Sequence, residues 1–289
     1  MTAPFPLVGV HPTATDLSMP VLDLAQEAVA RGLGSLTLPE HTHVPVGSLQ
    51  ISGDWRMAER YQRALDPYIT AAFVAASTTL EVGTAISLVA QHDAIALAKA
   101  VATLDHLSGG RMMLGVGFGY NREEVADHGV PFGQRAVVVE ETVRLMKALW
   151  TEEKAAYEGQ FRRLPPSWSW PKPLRPGGPP VLLGGRAGAR NFDRIASWAD
   201  GWIPMGETPA DASLAGELAE LRSRWAAAAR DGEPLVCCFL RPGPVSELAA
   251  QLGRGAELGI QRMEVLLEDR RRDEVLPVLD DLASAVAWL

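Results

Sequence analysis

The segment LDHLSGGRMMLGVGFGYNREE, residues 104–124, decides the fold. Its first part closes a helix: the stretch 93–107 opens on Asp93, a good N-cap, and stops at Gly109-Gly110, where glycine supplies the backbone that ends helices. The β-rich run RMMLGVG at 111–117 follows at once. Asn121 and Glu124 then have the N-cap and N3 spacing of a capping box, so a new helix begins. Helix, strand and helix in immediate succession are the rhythm of βα units around a parallel sheet.

Working outward, the same rhythm predicts eight strands: LVGV (7–10), SLTLP (35–39), LEVGTAISLV (80–89), RMMLGVG (111–117), PVLLG (180–184), GWIPM (201–205), LVCCFL (235–240) and RMEVLLE (262–268). Between them, Val139, Val143, Met146 and Trp150 step by four, three and four, as do Leu214, Leu218, Leu221 and Trp225, each set making one apolar helical stripe. Eight strands alternating with helices predict an α/β fold of the (β/α)8 TIM barrel type, although an open doubly wound sheet gives a similar pattern. One domain spanning 1–289 is expected, with insertions near 41–66 and 151–179. The first is polar and irregular. The second carries YEGQF and then PPSWSWPKPLRPGGPP, too rich in proline for a helix interior, and reads as a small hairpin plus an extended loop.

Composition narrows the function classes. Apolar residues make up 47% of the 289 and charged residues 21%, as in ordinary globular proteins. The net charge of −8, with Lys and Arg scattered, argues against nucleic acid or an anionic membrane as the main partner. The basic run Arg270 to Arg272 reads as a solvated helix start. The two cysteines, Cys237 and Cys238, are adjacent on a predicted strand and offer neither a disulfide framework nor a CxxC site. The N-terminus lacks signal-peptide character and no apolar run approaches the roughly 18 residues of a membrane span, so a cytoplasmic protein is expected. His43, His92, His106 and His128 show no metal-ligand spacing with acids or cysteines, so no metal site is expected.

Three places invite chemistry. Gly115, Gly117 and Gly119 share one side of an extended chain, leaving it bare; either something flat lies against the backbone there or strand and helix pack closely. GVGFGY is not the G-x-G-x-x-G dinucleotide fingerprint, because its last position is Tyr120. An anion site fits better at LLGGRAGARN, where glycine amides, a helix start and Arg186 or Arg190 converge. At the strand ends forming the catalytic rim of a barrel stand Glu40-His41 and His11, a carboxylate beside imidazoles suited to proton transfer.

The segments PEH, VGTAISLV, ALAKAVATLDHLSGGRMMLGVGFGYNREE, HGVPFGQR, ALWTEEKAAYEGQFRR, PKPLRPGGPPVLLGG and ADGWIP together resemble the luciferase-like monooxygenase superfamily, most closely its F420-dependent oxidoreductase branch. The resemblance runs from about residue 7 to 205 and weakly beyond. It implies a TIM barrel of the bacterial luciferase-like kind that binds a flavin or deazaflavin at the C-terminal ends of its strands, usually as a homodimer. By that similarity Glu40 and His41 stand beside the ring, and Thr84, Ala85 and Ile86 back it, with a non-prolyl cis peptide at Ala85-Ile86. Phe118, Gly119 and Asn121 line the ring or its polyol, and Gly184, Gly185 and Arg186 meet the phosphate. The bare glycine strand then leaves room for the tricyclic ring.

One departure matters: where the sugar-phosphate dehydrogenases of the branch place a glutamate proton donor, this chain has Tyr120, which puts sugar-phosphate oxidation in doubt. The expected activity is hydride transfer between coenzyme F420 and a small organic substrate. His41, polarised by Glu40, is the first candidate for managing the proton, with His11 and Tyr120 next. Residues 41–60 and 160–172, with Trp168 and Trp170, are expected to wall the substrate pocket. Two alternatives stand beside this reading: an FMN-dependent monooxygenase and a flavin-binding protein without catalysis.

Overall fold

The computed structural model describes residues 6–48 and 55–288. Eight parallel strands close into a barrel: β1 (Leu7–Pro12), β2 (Ser35–Leu38), β3 (Glu81–Ser87), β4 (Met112–Val116), β7 (Val181–Gly185), β8 (Gly201–Pro204), β9 (Leu235–Leu240) and β10 (Arg262–Leu267), with β10 pairing back onto β1. Between β4 and β7 in sequence, β5 (Ala155–Glu158) and β6 (Arg163–Ser167) form a separate antiparallel hairpin. The chain is therefore a (β/α)8 barrel, and the expected strands fall in place with ends shifted by a residue or two. The segment 80–89 gives up its last residues to a short 3₁₀ turn at Val89–Gln91.

The helices are α1 (Val21–Ala30), α2 (Trp55–Gln62), α3 (Pro67–Ser77), α4 (Ala94–Leu107), α5 (Arg122–Asp127), α6 (Arg135–Thr151), α7 (Ala189–Trp198), α8 (Leu214–Ala227), α9 (Val245–Glu257) and α10 (Arg272–Ala287). Their apolar stripes face the sheet: Val139, Val143, Met146 and Trp150 on α6 are all buried, as are Leu214, Leu218, Leu221 and Trp225 on α8. Asp93 caps α4 by accepting from the amides of Ile95 and Ala96, and Gly109 and Gly110 release the chain at φ +74° and +80°. The insertion at 41–66 is less irregular than its polarity suggests, since α2 lies within it. None of the described helices is long and apolar enough to cross a membrane.

The second insertion is tied down by single charged side chains. The Glu141 carboxylate on α6 accepts from the amides of Gln160, Phe161 and Arg162, clamping the tip of the β5–β6 hairpin. Farther on, Asp105 accepts from the amides of Leu174 and Arg175, while Lys99 donates to the Trp170 carbonyl and Lys172 to those of Leu149 and Glu152. These anchors hold Trp168 and Trp170 on the outer flank, 73% and 61% exposed.

Candidate active site

A cavity of about 320 Å³ opens at the C-terminal mouth of the barrel, where βα loops build binding sites. Its floor is apolar, with Ala85, Ile86, Phe239 and Leu266, and its polar groups are His11, Glu40, His41, Arg60, Tyr61 and Tyr120. All four expected catalytic residues thus meet in one cavity. Residues 160–172 do not line it, for the reason just given; that expectation is corrected. The wall from 41–60 is seen in part, through His41, Arg60 and Tyr61, because 49–54 lie outside the described residues.

The pairing of Glu40 with His41 is also corrected. Successive side chains of an extended segment point to opposite sides, so the two neighbours diverge. Glu40, 4% exposed, accepts from Ser87 Oγ and the Leu88 amide at Oε2, both at 2.6 Å, and pairs through Oε1 with His92 Nε2 at 2.7 Å. Burial alone would raise the Glu40 carboxyl, but His92, Ser87 and Leu88 outweigh it and hold it below the usual range. Burial likewise opposes charge on His92, and Glu40 outweighs that, raising the imidazole. This ion pair, extended by Tyr68 Oη against Ser87 Oγ at 2.6 Å, fixes the end of β3 from behind.

His41 turns instead to Glu124, with Nδ1 2.9 Å from Oε2, and the Thr42 amide donates to Oε1 of the same carboxylate. Glu124 is 1% exposed and stands at N3 of α5. The capping box is therefore only half formed: Asn121 accepts from the Glu124 amide at 3.1 Å, while the Glu124 carboxylate serves His41. An ionised carboxylate only accepts, so the bond fixes the proton on Nδ1 and leaves Nε2 to the cavity. Tyr120 Oη lies 3.4 Å from that Nε2, and the Tyr61 ring packs on the imidazole at 4.5 Å. Tyr120 is 55% exposed; partial burial raises its hydroxyl above the ordinary tyrosine range, and it keeps its proton. His11 is neutral: burial, followed by the charge of Arg60, pulls it down to about 3, and its Nδ1 is 2.9 Å from Thr37 Oγ1.

The glycine edge is filled from within. A Cβ on Gly117 would collide with the Ile86 side chain, one on Gly184 would meet the same residue, and one on Gly115 would strike the Thr84 carbonyl. The bare strand accommodates Ile86 of the neighbouring β3, whose peptide with Ala85 is cis as expected, and Ile86 in turn faces the cavity. Thr84, fully buried, donates to the Gly115 carbonyl across the β3 bulge and does not reach the cavity. Asn121 is likewise committed, its Nδ2 donating to Ser48 Oγ and its Oδ1 accepting the cap bond. Gly119, at φ +74°, does line the cavity.

Residues without a signal in the sequence complete the site. Gln91 lies beside Gly119, and both its amide oxygen and its amide nitrogen are buried with no partner among the described residues. Arginines gather beyond Phe118. Arg122 and Arg135 stack on Phe132, Arg135 donates to the Gly119 carbonyl, and Arg194 lies 5.1 Å over the Phe118 ring. Burial lowers Arg135 and Arg194, and neighbouring arginines, Arg122 and Arg194 for the first and Arg190 for the second, lower them further. The nearby Glu140 is already paired with Arg144. Arg186 is exposed after β7, and Gly188, the N-cap of α7, has no side chain to cover the first amides. Among the described residues no three carboxylate, histidine or cysteine groups are placed to hold a metal.

Comparison with known proteins agrees with the fold. The chain is 41% identical over 269 residues to an uncharacterised protein of Mycobacterium tuberculosis, covering 91% of this chain and 92% of that one. It is 31% identical over 179 residues to an F420-dependent glucose-6-phosphate dehydrogenase of Kineococcus radiotolerans, covering 57% and 49%. It is 33% identical over 135 residues to an FMNH2-dependent dimethylsulfone monooxygenase of Pseudomonas putida, covering 45% and 37%. A solved F420-dependent secondary alcohol dehydrogenase shares the fold, with a TM-score of 0.80 at 15% identity over 98% of each chain. The luciferase-like monooxygenase family model matches residues 9–255, and the chain belongs to that family, whose relatives use F420 or FMN.

Proposed function

We propose that this protein is an F420-dependent oxidoreductase that transfers a hydride between the deazaflavin and a small organic substrate. The observation that carries the reading is the group of arginines beyond Phe118: Arg122 and Arg135 stack on Phe132 and Arg194 lies over Phe118, with Arg190 beside it, and among the described residues none of the four is ion-paired to a carboxylate. Such a cluster is suited to an extended polyanion, a phosphate followed by a lactyl-glutamate tail, more than to the single phosphate of FMN. The orphaned amide of Gln91 next to Gly119 fits a ring edge that offers both a donor and an acceptor.

When bound, the deazaflavin supplies a hydride at its central ring carbon. The chain's own residues orient and protonate. Ala85 and Ile86 back the cavity, held from behind by Glu40 and His92. His41, oriented by Glu124, holds or accepts the proton at Nε2 and shares it with Tyr120 Oη. Arg186 and the first amides of α7, with Gly184 and Gly185 at the turn, take the phosphate. A homodimer belongs to the same reading: Ile69 and Phe73 on α3 and Leu107 on the adjoining α4 stand 63%, 60% and 78% exposed, and sedimentation of the purified protein tests it.

The alternative reading, an FMN-dependent monooxygenase, is favoured by the relative from Pseudomonas putida. Titration of the protein with F420 and FMN, each oxidised and reduced, separates the two. Selective micromolar binding of F420 is expected; preference for reduced FMN, or binding of neither by folded protein, overturns the proposal.

A further inference from the structure

We infer that the substrate carries a carboxylate and that Arg60 is the residue that receives it. The inference rests on the reading of this cavity as the place where substrate meets the cofactor ring. Arg60 lines the cavity with its side chain only 16% exposed. Its one ion pair in the described structure joins Nη1 to Glu268 Oε1 at 2.9 Å, and Glu268 is 59% exposed, so water screens that carboxylate on its outer side. Arg60 Nε is buried and has no hydrogen-bond partner among the described residues. A guanidinium offers five donors in a fixed fork, and a buried one left unmatched is a place for an acceptor.

Among the described residues no other carboxylate in the cavity is free to pair with it. Among the described residues Glu40 is the one carboxylate lining the cavity, and both its oxygens are taken by Ser87, the Leu88 amide and His92. The other polar side chains described there are the imidazoles of His11 and His41 and the phenols of Tyr61 and Tyr120, with the Arg60 guanidinium carbon 5.1 Å from the Tyr61 ring. The Arg60 charge reaches His11, which it helps keep neutral, so the cation is felt across the cavity and not only at its edge. Ala85, Ile86, Phe239 and Leu266 supply apolar surface to the same cavity. One cation in such a cavity suits a flat, apolar organic acid. It does not suit a sugar phosphate, which would need several donors for its hydroxyls.

The test uses the whole chain and three probe acids, benzoate, sorbate and trans-cinnamate, each beside its primary amide. Binding is measured by calorimetry on wild type, Arg60→Gln and Arg60→Lys, with and without F420. At least one acid is expected to bind ten-fold or more tighter than its amide to wild type. That preference should vanish in Arg60→Gln and survive in part in Arg60→Lys. Circular dichroism and the affinity for the amides report whether the variants remain folded. If no acid is preferred over its amide, including the case in which none binds, or if the preference persists in Arg60→Gln, the inference is overturned. Fluorescence titration of F420 on the same samples keeps the two questions apart: loss of cofactor binding counts against the proposed function, whereas the acid preference is read on cofactor-free protein.

Discussion

Replacing Glu264 by Gln asks whether the barrel interior beneath the cavity holds a neutral acid. Glu264 on β10 has no solvent exposure; Ser35 Oγ donates to its Oε1 at 2.7 Å, and Oε2 has no partner among the described residues. Burial raises its pKa from 4.5 to about 8, against the pull of the Ser35 hydrogen bond and the Arg262 charge. The unfolded chain releases this proton above 4.5, while the folded chain keeps it until about 8. Between those values the folded state binds more protons, so stability falls as pH rises. At about 1.36 kcal/mol per pH unit the loss reaches about 5 kcal/mol above pH 8, of which about 3 kcal/mol falls between pH 5 and pH 8. Gln keeps an oxygen for Ser35 and cannot ionise. Its unmatched amide hydrogens add an offset that does not vary with pH. Urea unfolding of both proteins at pH 5, 6, 7 and 8 reads the difference directly, since every other titrating group is common to the two. Wild type should lose about 3 kcal/mol relative to the variant across that range. Parallel pH profiles would show that Glu264 is ionised in the folded barrel and would refute the reasoning.

Three other changes probe the site. Glu124→Gln replaces an acceptor-only carboxylate by an uncharged amide that can donate as well as accept, so the His41 tautomer is no longer fixed and turnover with F420 should fall by about 10²-fold or more while cofactor affinity stays within a few-fold; unchanged turnover would take His41 out of the proton path. Arg135→Gln combined with Arg194→Gln should weaken F420 binding at least ten-fold and flatten its dependence on salt, measured by fluorescence titration, with little effect on FMN; equal losses for both cofactors would remove the argument from tail length. Gly117→Ala sets a methyl group against Ile86 and should cost about 1–3 kcal/mol of stability in urea unfolding, with weaker cofactor binding as Ile86 is pushed into the cavity. Wild-type stability and affinity together would mean that the two side chains do not compete for that space.

The barrel was legible because its signals are local. Asp93 and Gly109-Gly110 bracket α4, the four-three-four steps of α6 and α8 mark their buried faces, and both sets stand where periodicity put them. The partners of the titratable groups were not legible in the same way. Adjacency suggested Glu40 with His41, but a side chain at the end of an extended segment is answered by whatever the fold brings to its own side, here His92 from beyond β3. Glu124 looked like a capping residue because N3 spacing is a local signal, whereas the histidine that claims its carboxylate is eighty-three positions away. Arg60 and Gln91 had no motif at all; their importance lies in what they lack, a partner for a buried polar atom, and only packed coordinates can display that.

The exchange of partners has a chemical consequence. It yields two carboxylate–imidazole pairs in place of one. Glu40 and His92 favour each other's charged form and are placed to brace β3, and a proton leaving that pair would break an interaction on which the cavity floor depends. Glu124 and His41 keep one ring nitrogen turned to the cavity, beside the Tyr120 hydroxyl. Bracing and proton handling are therefore divided between separate pairs, and a variant of the second can lose turnover without loosening the floor that the first maintains.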